Sequence, residues 1–334
     1  MEQEIKTNVI LQGDCLELFK TIPDNSIDMC FADPPFNLKK RYTSYTDNLD
    51  LQEYLLWCKK WIAEMVRVTK QTGSIFVHNI PKWLTFYASY LNDKAHFRHW
   101  ISWEAPTAPM GKTLQPVHYG ILFYTKEQKN SKIYEIRHPH KRDRKQGYLL
   151  KDYGGKKDIL HPFGPLISDV WTDIHRIRHN KNRDEHPCQL PVHLLERLIL
   201  LATDENDTVL DPFSGTGTTG VAAKQLGRKY IGFELDEQYV NISQKKLENT
   251  VINPKVGDSF VSWYLSEIVT LREIDWNDIR QYFIIPDSIR KIDSEKIVLK
   301  AKLKPNKVAV NYNENYEITL FEQKTVRVNE LPTV

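Results

Sequence analysis

Apolar positions along the first 250 residues change repeatedly between a strand period and a helix period, and each change marks an element boundary. Val9 to Gln12 reads as a short strand, Asp14 to Lys20 as a short helix, Ile22 to Ser26 as a turn around Pro23, and Ile27 to Ala32 as an apolar strand that stops at Pro34-Pro35. From Leu51 to Lys70 the residues Leu55, Trp61, Ile62, Met65 and Val66 recur at helical spacing, so a helix, a turn at Gly73 and a strand from Ser74 to His78 are predicted. A helix over Lys82 to Leu91 and strands over Trp100 to Trp103 and Gly120 to Thr125 follow. Regularity fades between about Lys126 and Glu185, then returns as a helix (Val192 to Ala202), a strand (Val209 to Asp211), a Gly-rich turn, a helix (Thr219 to Leu226) and a strand (Tyr230 to Glu234). Beyond these, only Val298 to Val310 and Ile318 to Val328 look strand-like.

Alternating strands and helices predict an α/β fold with a mixed, mostly parallel sheet that binds its ligand at the carboxyl ends of the strands. The organisation expected is a main domain over 1–255, carrying an insertion at about 126–185, and a small C-terminal extension over 256–334. Composition narrows the class. An apolar fraction of 41% and a charged fraction of 27% are those of a folded globular protein. No apolar run reaches bilayer length and the N-terminus is polar, which points to a cytoplasmic protein without a membrane partner. Cys15, Cys30, Cys58 and Cys188 are scattered without a C-x-x-C pair, and the His residues of the irregular region, such as His138 and His175, read as phosphate contacts or surface positions, so no metal is expected. The net charge of +3 is modest, but between Arg137 and Lys157 eight Lys or Arg stand against two acids, a local net of +6. That is the electrostatic footprint of a nucleic-acid contact, with Lys141, Arg142, Arg144, Lys145, Lys151 and Lys156 as the candidate DNA-binding residues.

The Gly-rich turn runs Asp211-Pro212-Phe213-Ser214-Gly215-Thr216-Gly217-Thr218-Thr219-Gly220 between a strand and a helix, where bare backbone lets a ligand approach closely. Gly215, Gly217 and Gly220 satisfy the dinucleotide fingerprint, and Glu234 ends the next strand as a ribose-binding acid would, so a nicotinamide-dependent oxidoreductase is one reading. Asp211 opposes it: a carboxylate before the turn repels a pyrophosphate and suits the ammonium of a methionine moiety. A P-loop is excluded because Thr218, not Lys, follows Gly217.

Asp33-Pro34-Pro35-Phe36 ends the apolar strand. Its prolines fix the backbone, so the Asp33 carboxylate and the Pro34 carbonyl are two rigid acceptors that can converge on one amino group. An aromatic amine is a weak nucleophile because its lone pair is delocalised; hydrogen bonds from its two N–H groups to such a pair favour a pyramidal nitrogen aimed at a methyl donor. Phe36 offers an aromatic face for an unstacked base. The following loop, with Lys39, Lys40, Arg41, Tyr42 and Tyr45, is suited to phosphate contact or to closing over that base.

With both motifs present, the chain resembles the amino-methyltransferases of DNA, over roughly residues 8 to 250. The resemblance also rests on Gly13-Asp14, Phe233-Glu234 and His186-Pro187-Cys188-Gln189-Leu190-Pro191. Because the catalytic motif precedes the donor motif, with the basic region between them, the order is similar to the circularly permuted β-type. This implies a Rossmann-like methyltransferase fold whose intervening segment recognises the target. The resemblance further implies S-adenosylmethionine as donor, with Phe213, Gly215 and Gly217 at its methionine end, Glu234 on its ribose, Asp14 near its adenine, and Gln189 and His186 close by. Leu190 departs from the Lys usual at that place. Double-stranded DNA is the implied substrate, methylated by base flipping and direct transfer. Asp rather than Ser at position 33 points to N6 of adenine over N4 of cytosine. A cognate restriction endonuclease and a second copy of the chain are further partners compatible with the family. A catalytically idle DNA-binding module is the other competing class.

Overall fold

The structure, a computed structural model, describes residues 5–38, 47–105, 114–134, 136–137, 167–172, 174, 176–177 and 189–252, together with five short strands further on. Two compact units divide the chain: residues 1–133 with 168–253, and residues 134–167 with 254–334. In the first unit the elements are β1 (Val9–Gln12), α1 (Cys15–Phe19), β2 (Ile27–Ala32), α2 (Leu51–Val68), β3 (Thr69–Asn79), α3 (Pro81–Leu91), β4 (His96–Glu104) and β5 (His118–Thr125). After β6 (Ile136–Arg137), which belongs to the second unit, come β7 (Val170–Trp171), α4 (Val192–Ala202), β8 (Thr208–Asp211), α5 (Thr218–Gln225), β9 (Lys229–Glu234) and α6 (Glu237–Asn249). The second unit continues with β10 (Val269–Thr270), β11 (Phe283–Ile284), β12 (Lys302–Leu303), β13 (Glu317–Thr319) and β14 (Thr325–Arg327). These form three two-stranded antiparallel ladders, β6 with β10, β11 with β12, and β13 with β14.

The first unit carries an eight-stranded sheet in the order β1-β9-β8-β2-β3-β5-β4-β7. Pairs are parallel from β1 through β3 and again between β4 and β7, and antiparallel at β3/β5 and β5/β4. This is the mixed, mostly parallel α/β sheet expected. From β8 the chain moves one way across the sheet and from β2 the other, so the two strands meet at a topological switch point, where a ligand crevice opens. All six residues of β2 are buried, as a central strand covered on both faces requires.

Helix α2 starts where Asp50 accepts a hydrogen bond from the Gln52 amide at 2.8 Å, and buries Tyr54, Cys58, Trp61, Ile62, Met65 and Val68 on one face. It ends two residues earlier than its apolar period suggests, because the Thr69 hydroxyl returns to the Met65 carbonyl at 2.6 Å and the chain enters β3 at once. Gly73 is therefore no turn but part of β3. Its register against β2 shifts between Ile27 and Met29, and a Cβ on Gly73 would stand 2.7 Å from the Asp28 carbonyl. Helix α6 is an element that apolar periodicity did not reveal. Asp236 caps it by accepting from the Gln238 amide at 2.8 Å, and only Tyr239, Val240, Ser243 and Leu247 are buried.

Burial pushes the thiols of Cys15 and Cys30 each up to about 12, so both stay protonated and inert. At the opposite end of the strands from the crevice, a charge network ties β2, β3 and β8 to the segment after β5. Lys132 reaches Asp207 at 2.7 Å and Asp204 at 3.0 Å, while Lys70 and the Thr208 amide hold the buried Asp28 at 2.8 and 3.0 Å. Burial alone would lower the Lys132 ammonium, but its hydrogen bonds to Asp207 and Asp204 raise it. Lys132→Met leaves those acids facing one another, and a thermal melt is expected to show a loss of about 1–3 kcal/mol. An unchanged melting temperature would mean that the network contributes nothing.

Candidate active site

Four strand ends on the crevice side, those of β1, β2, β8 and β9, deliver the chemistry. Parallel pairing puts Gln12 beside Glu234 and carries Gly13 on to donate its amide to the Glu234 carbonyl at 2.9 Å. Asp14 follows, accepting from the Leu16 amide at 2.8 Å as the cap of α1. At the end of β8, Asp211 is buried and braces the Gly-rich turn from both sides: it accepts from the Phe213 amide at 2.9 Å and from the Thr219 hydroxyl at 2.5 Å. The Glu234 carboxylate holds the same turn across the sheet, accepting from the amides of Gly215 at 2.8 Å and Asp236 at 2.8 Å.

The tetrapeptide after β2 is clamped from the helices. Tyr54 of α2 donates its hydroxyl to the Pro35 carbonyl at 2.6 Å, and Trp83 of α3 donates its indole N–H to the Phe36 carbonyl at 2.6 Å. Asn37 then takes a left-handed conformation (φ 51°), and Asp47 accepts from the amides of Asn37 and Leu38 at 2.7 and 2.9 Å. The two ends of the 39–46 loop are thus tied together; the loop itself, with Lys39, Lys40, Arg41, Tyr42 and Tyr45, lies outside the described residues. The Pro34 carbonyl accepts no hydrogen bond from any described residue, and the Asp33 side chain is 15% exposed.

Between these parts lies a cleft of about 350 Å³ lined by Asp33, Pro34, Pro35 and Phe36 after β2, by Asp14 after β1, by Asp211, Phe213 and Gly215 where β8 enters the Gly-rich turn, by Glu234 of β9, and by Gln189. Nearly every residue expected at the site therefore shares one cavity. Gly217 does not line it: with φ 79° it caps α5, and a Cβ there would stand 2.9 Å from the Ser243 side chain of α6. Its bare α-carbon is what lets α6 pack under the turn. His186 and the candidate DNA contacts Lys141, Arg142, Arg144, Lys145, Lys151 and Lys156 lie outside the described residues.

Charge defines what the cleft accepts. Asp14, Asp33, Asp47, Asp211 and Glu234 line it, and among the described lining residues there is no Lys or Arg. Burial pushes the Asp211 carboxyl up to about 7, where its bonds to Thr219 and Phe213 pull it down and the charges of Asp33 and Glu234 add to the rise. Burial likewise pushes Glu234 up to about 7 against the amides that hold it. Such a cleft suits a cationic ligand and opposes a pyrophosphate, which counts against the dinucleotide reading. Among the lining residues that escaped the sequence reading are two aromatic ones. Tyr54 and Trp57 lie one helical turn apart on α2, and Trp57 packs at 5.6 Å from Phe213, which in turn meets Trp61 edge-on at 5.3 Å. Their spacing was visible only as generic helix periodicity.

Fold and cleft together define an α/β protein with an acidic ligand cleft at its switch point, beside the Asp33 carboxylate and the Pro34 carbonyl. A family model described as DNA methylase, of N6/N4 methyltransferase type, matches residues 27–245. Over 242 residues the chain is 44% identical to the type II methyltransferase M.BamHI of Bacillus amyloliquefaciens, a match that covers 72% of this chain and 57% of that protein. It is 33% identical to the type II methyltransferase M.HpaI of Haemophilus parainfluenzae, covering 81% and 90%. Among solved structures, the cytosine-N4-specific PvuII DNA methyltransferase has the same fold, with a TM-score of 0.52 at 20% identity over 77% of this chain and 93% of its own. The chain belongs to the DNA methylase family of N6/N4 type.

Proposed function

We propose that this protein transfers a methyl group from S-adenosylmethionine to an exocyclic amino nitrogen of a base in duplex DNA, N6 of adenine by the resemblance that Asp33 carries. The observation that supports it most is the cleft itself, five carboxylates wide and without a described Lys or Arg, ending at the Asp33–Pro34 acceptor pair. A sulfonium and an ammonium match that charge, and the ribose hydroxyls match Glu234. When bound, the donor supplies an electrophilic methyl on a positively charged sulfur.

The protein's own part is orientation. Asp33 and the Pro34 carbonyl accept the two N–H groups of the target amine, which turns its lone pair toward the donor, and no covalent enzyme intermediate is needed. Tyr54 and Trp83 hold the two carbonyls that follow Pro34, so the acceptor pair does not have to reorganise. The same two acceptors serve N4 of cytosine, which is the second reading and the specificity of the PvuII enzyme. Labelled methyl transfer into unmethylated plasmid DNA, followed by nucleoside analysis, separates them. N6-methyladenine supports the proposal, N4-methylcytosine keeps the mechanism and changes the base, and no methylated nucleoside rejects it. Work beside a cognate endonuclease, as the type II names of the relatives suggest, belongs to the same proposal.

Donor binding should depend on pH with a definite sign. Asp211 and Glu234 each titrate near 7 in the free protein, and a cation with ribose hydroxyls favours their ionised forms. Each carboxyl that the donor holds ionised is therefore worth about tenfold in affinity from pH 6 to pH 8, about a hundredfold for both, with protons released on binding. Calorimetry in buffers of different ionisation enthalpy reads both, and an affinity that is flat or falls over this range contradicts the assignment. The converse holds for stability: a carboxyl whose folded value exceeds its unfolded value costs the free protein stability as pH rises from about 4 through 7.

DNA contact is assigned to the basic stretch. Lys141→Ala combined with Arg142→Ala and Arg144→Ala is expected to weaken binding to all sequences alike and to lower the salt slope by about three. An unchanged slope in a filter-binding or anisotropy titration would remove these residues from the interface.

A further inference from the structure

We infer that His78 is a positioning residue for the transfer, fixing the rotamer of Asp33 so that one of its oxygens is left to receive the amine; the inference rests on the amino-methyl transfer proposed above. The pairing of β2 with β3 sets Ala32 beside Val77, so the next residue of each strand, Asp33 and His78, emerge side by side at the crevice end. His78 Nδ1 stands 2.7 Å from Asp33 Oδ1. The ring is 2% exposed and does not line the cleft, so whatever it does to the substrate it does through Asp33.

The surroundings fix which nitrogen carries the proton. Phe36, Trp103 and Tyr119 enclose the imidazole at 6.0, 5.8 and 5.2 Å between ring centroids, and Nε2 is buried with no hydrogen-bond partner among the described residues. A proton on Nε2 alone would leave that N–H without an acceptor and turn the Nδ1 lone pair against a carboxylate oxygen. The Nδ1–H tautomer avoids both, donating to Oδ1. Asp33 is then held by Oδ1 alone, and Oδ2 remains as the acceptor beside the Pro34 carbonyl. No proton need move along this bond during the reaction; its effect is geometric, and errors of an ångström at a reacting centre cost rate.

Two nearly isosteric substitutions separate the donor from the space it fills. Asn places an amide N–H close to the Nδ1 position, whereas Leu fills the same volume and donates nothing. His78→Leu is expected to lower kcat on plasmid DNA by about 10²-fold with the KM for DNA and the Kd of S-adenosylmethionine within about threefold of wild type, and His78→Asn to recover most of the rate. A third variant, His78→Gln, carries its amide out to the Nε2 position and should stay as slow as Leu. The inference is overturned if His78→Leu keeps kcat within about twofold, or if Asn and Leu fall alike, since space-filling alone would then be the role. If Leu fails to bind the donor through misfolding, the contrast between Asn and Gln still decides. Wild-type protein that yields no methylated nucleoside sinks both this inference and the parent proposal, whereas active wild type with an indifferent His78 sinks this one only.

Discussion

Asp33→Asn is expected to reduce methyl transfer to DNA by about 10²–10³-fold in kcat, the usual loss when a preorganised transition-state partner is removed. Asn keeps the shape but turns a donor or a weaker acceptor toward the amine, so the nitrogen loses the interaction that strengthens as it becomes tetrahedral and positive. Donor binding should survive, because Asp33 makes none of the hydrogen bonds that hold the Gly-rich turn and Glu234 in place. Calorimetry with S-adenosylmethionine beside a single-turnover methylation assay separates the two quantities. A variant that loses donor binding along with rate would move Asp33 from the acceptor pair to the donor site.

The second large effect lies behind the cleft. Trp61 has no exposed surface and meets Tyr87, Trp57 and Phe213 at centroid distances of 5.7, 6.1 and 5.3 Å. Trp61→Ala empties the centre of this cluster and is expected to cost about 3–5 kcal/mol, most of it the cavity left in a close-packed core. Phe213 then keeps Trp57 but loses the ring it meets edge-on, so the affinity for S-adenosylmethionine should fall as well, and saturating donor should restore part of the lost melting temperature. Trp61→Phe, which keeps an aromatic ring in place, should cost much less of both. A melting temperature within a degree or two of wild type for Trp61→Ala would show that the cluster relaxes around the hole.

The elements that the chain announces most plainly are those whose signal is local. Strands β1 and β2 and helix α4 begin and end where the apolar pattern changes, and Asp211 and Glu234 stand where a strand, a glycine turn and the next strand must place them. Where the outcome depends on a partner far away in sequence, the pattern was silent. Gly73 reads as a turn because Gly usually is one, but here it is the point at which β3 passes close to the Asp28 carbonyl. Helix α6 buries too few apolar residues to show a period, and it is specified by its Asp236 cap and by the space that Gly217 leaves for Ser243. His78 looks like one more residue at the end of a strand until the β2/β3 pairing brings it to Asp33. The raised carboxyls are likewise invisible in one dimension, since burial causes them and burial is set by the fold.

The measurement that bears most directly on this account is a crystal structure with S-adenosylmethionine bound. The account requires the ribose hydroxyls within hydrogen-bond distance of Glu234, the methionine end along the turn from Asp211 to Gly215, and the methyl group facing the opening between Asp33 and the Pro34 carbonyl. A donor seated elsewhere, or one in this cleft with its methyl turned away from Asp33, would contradict it.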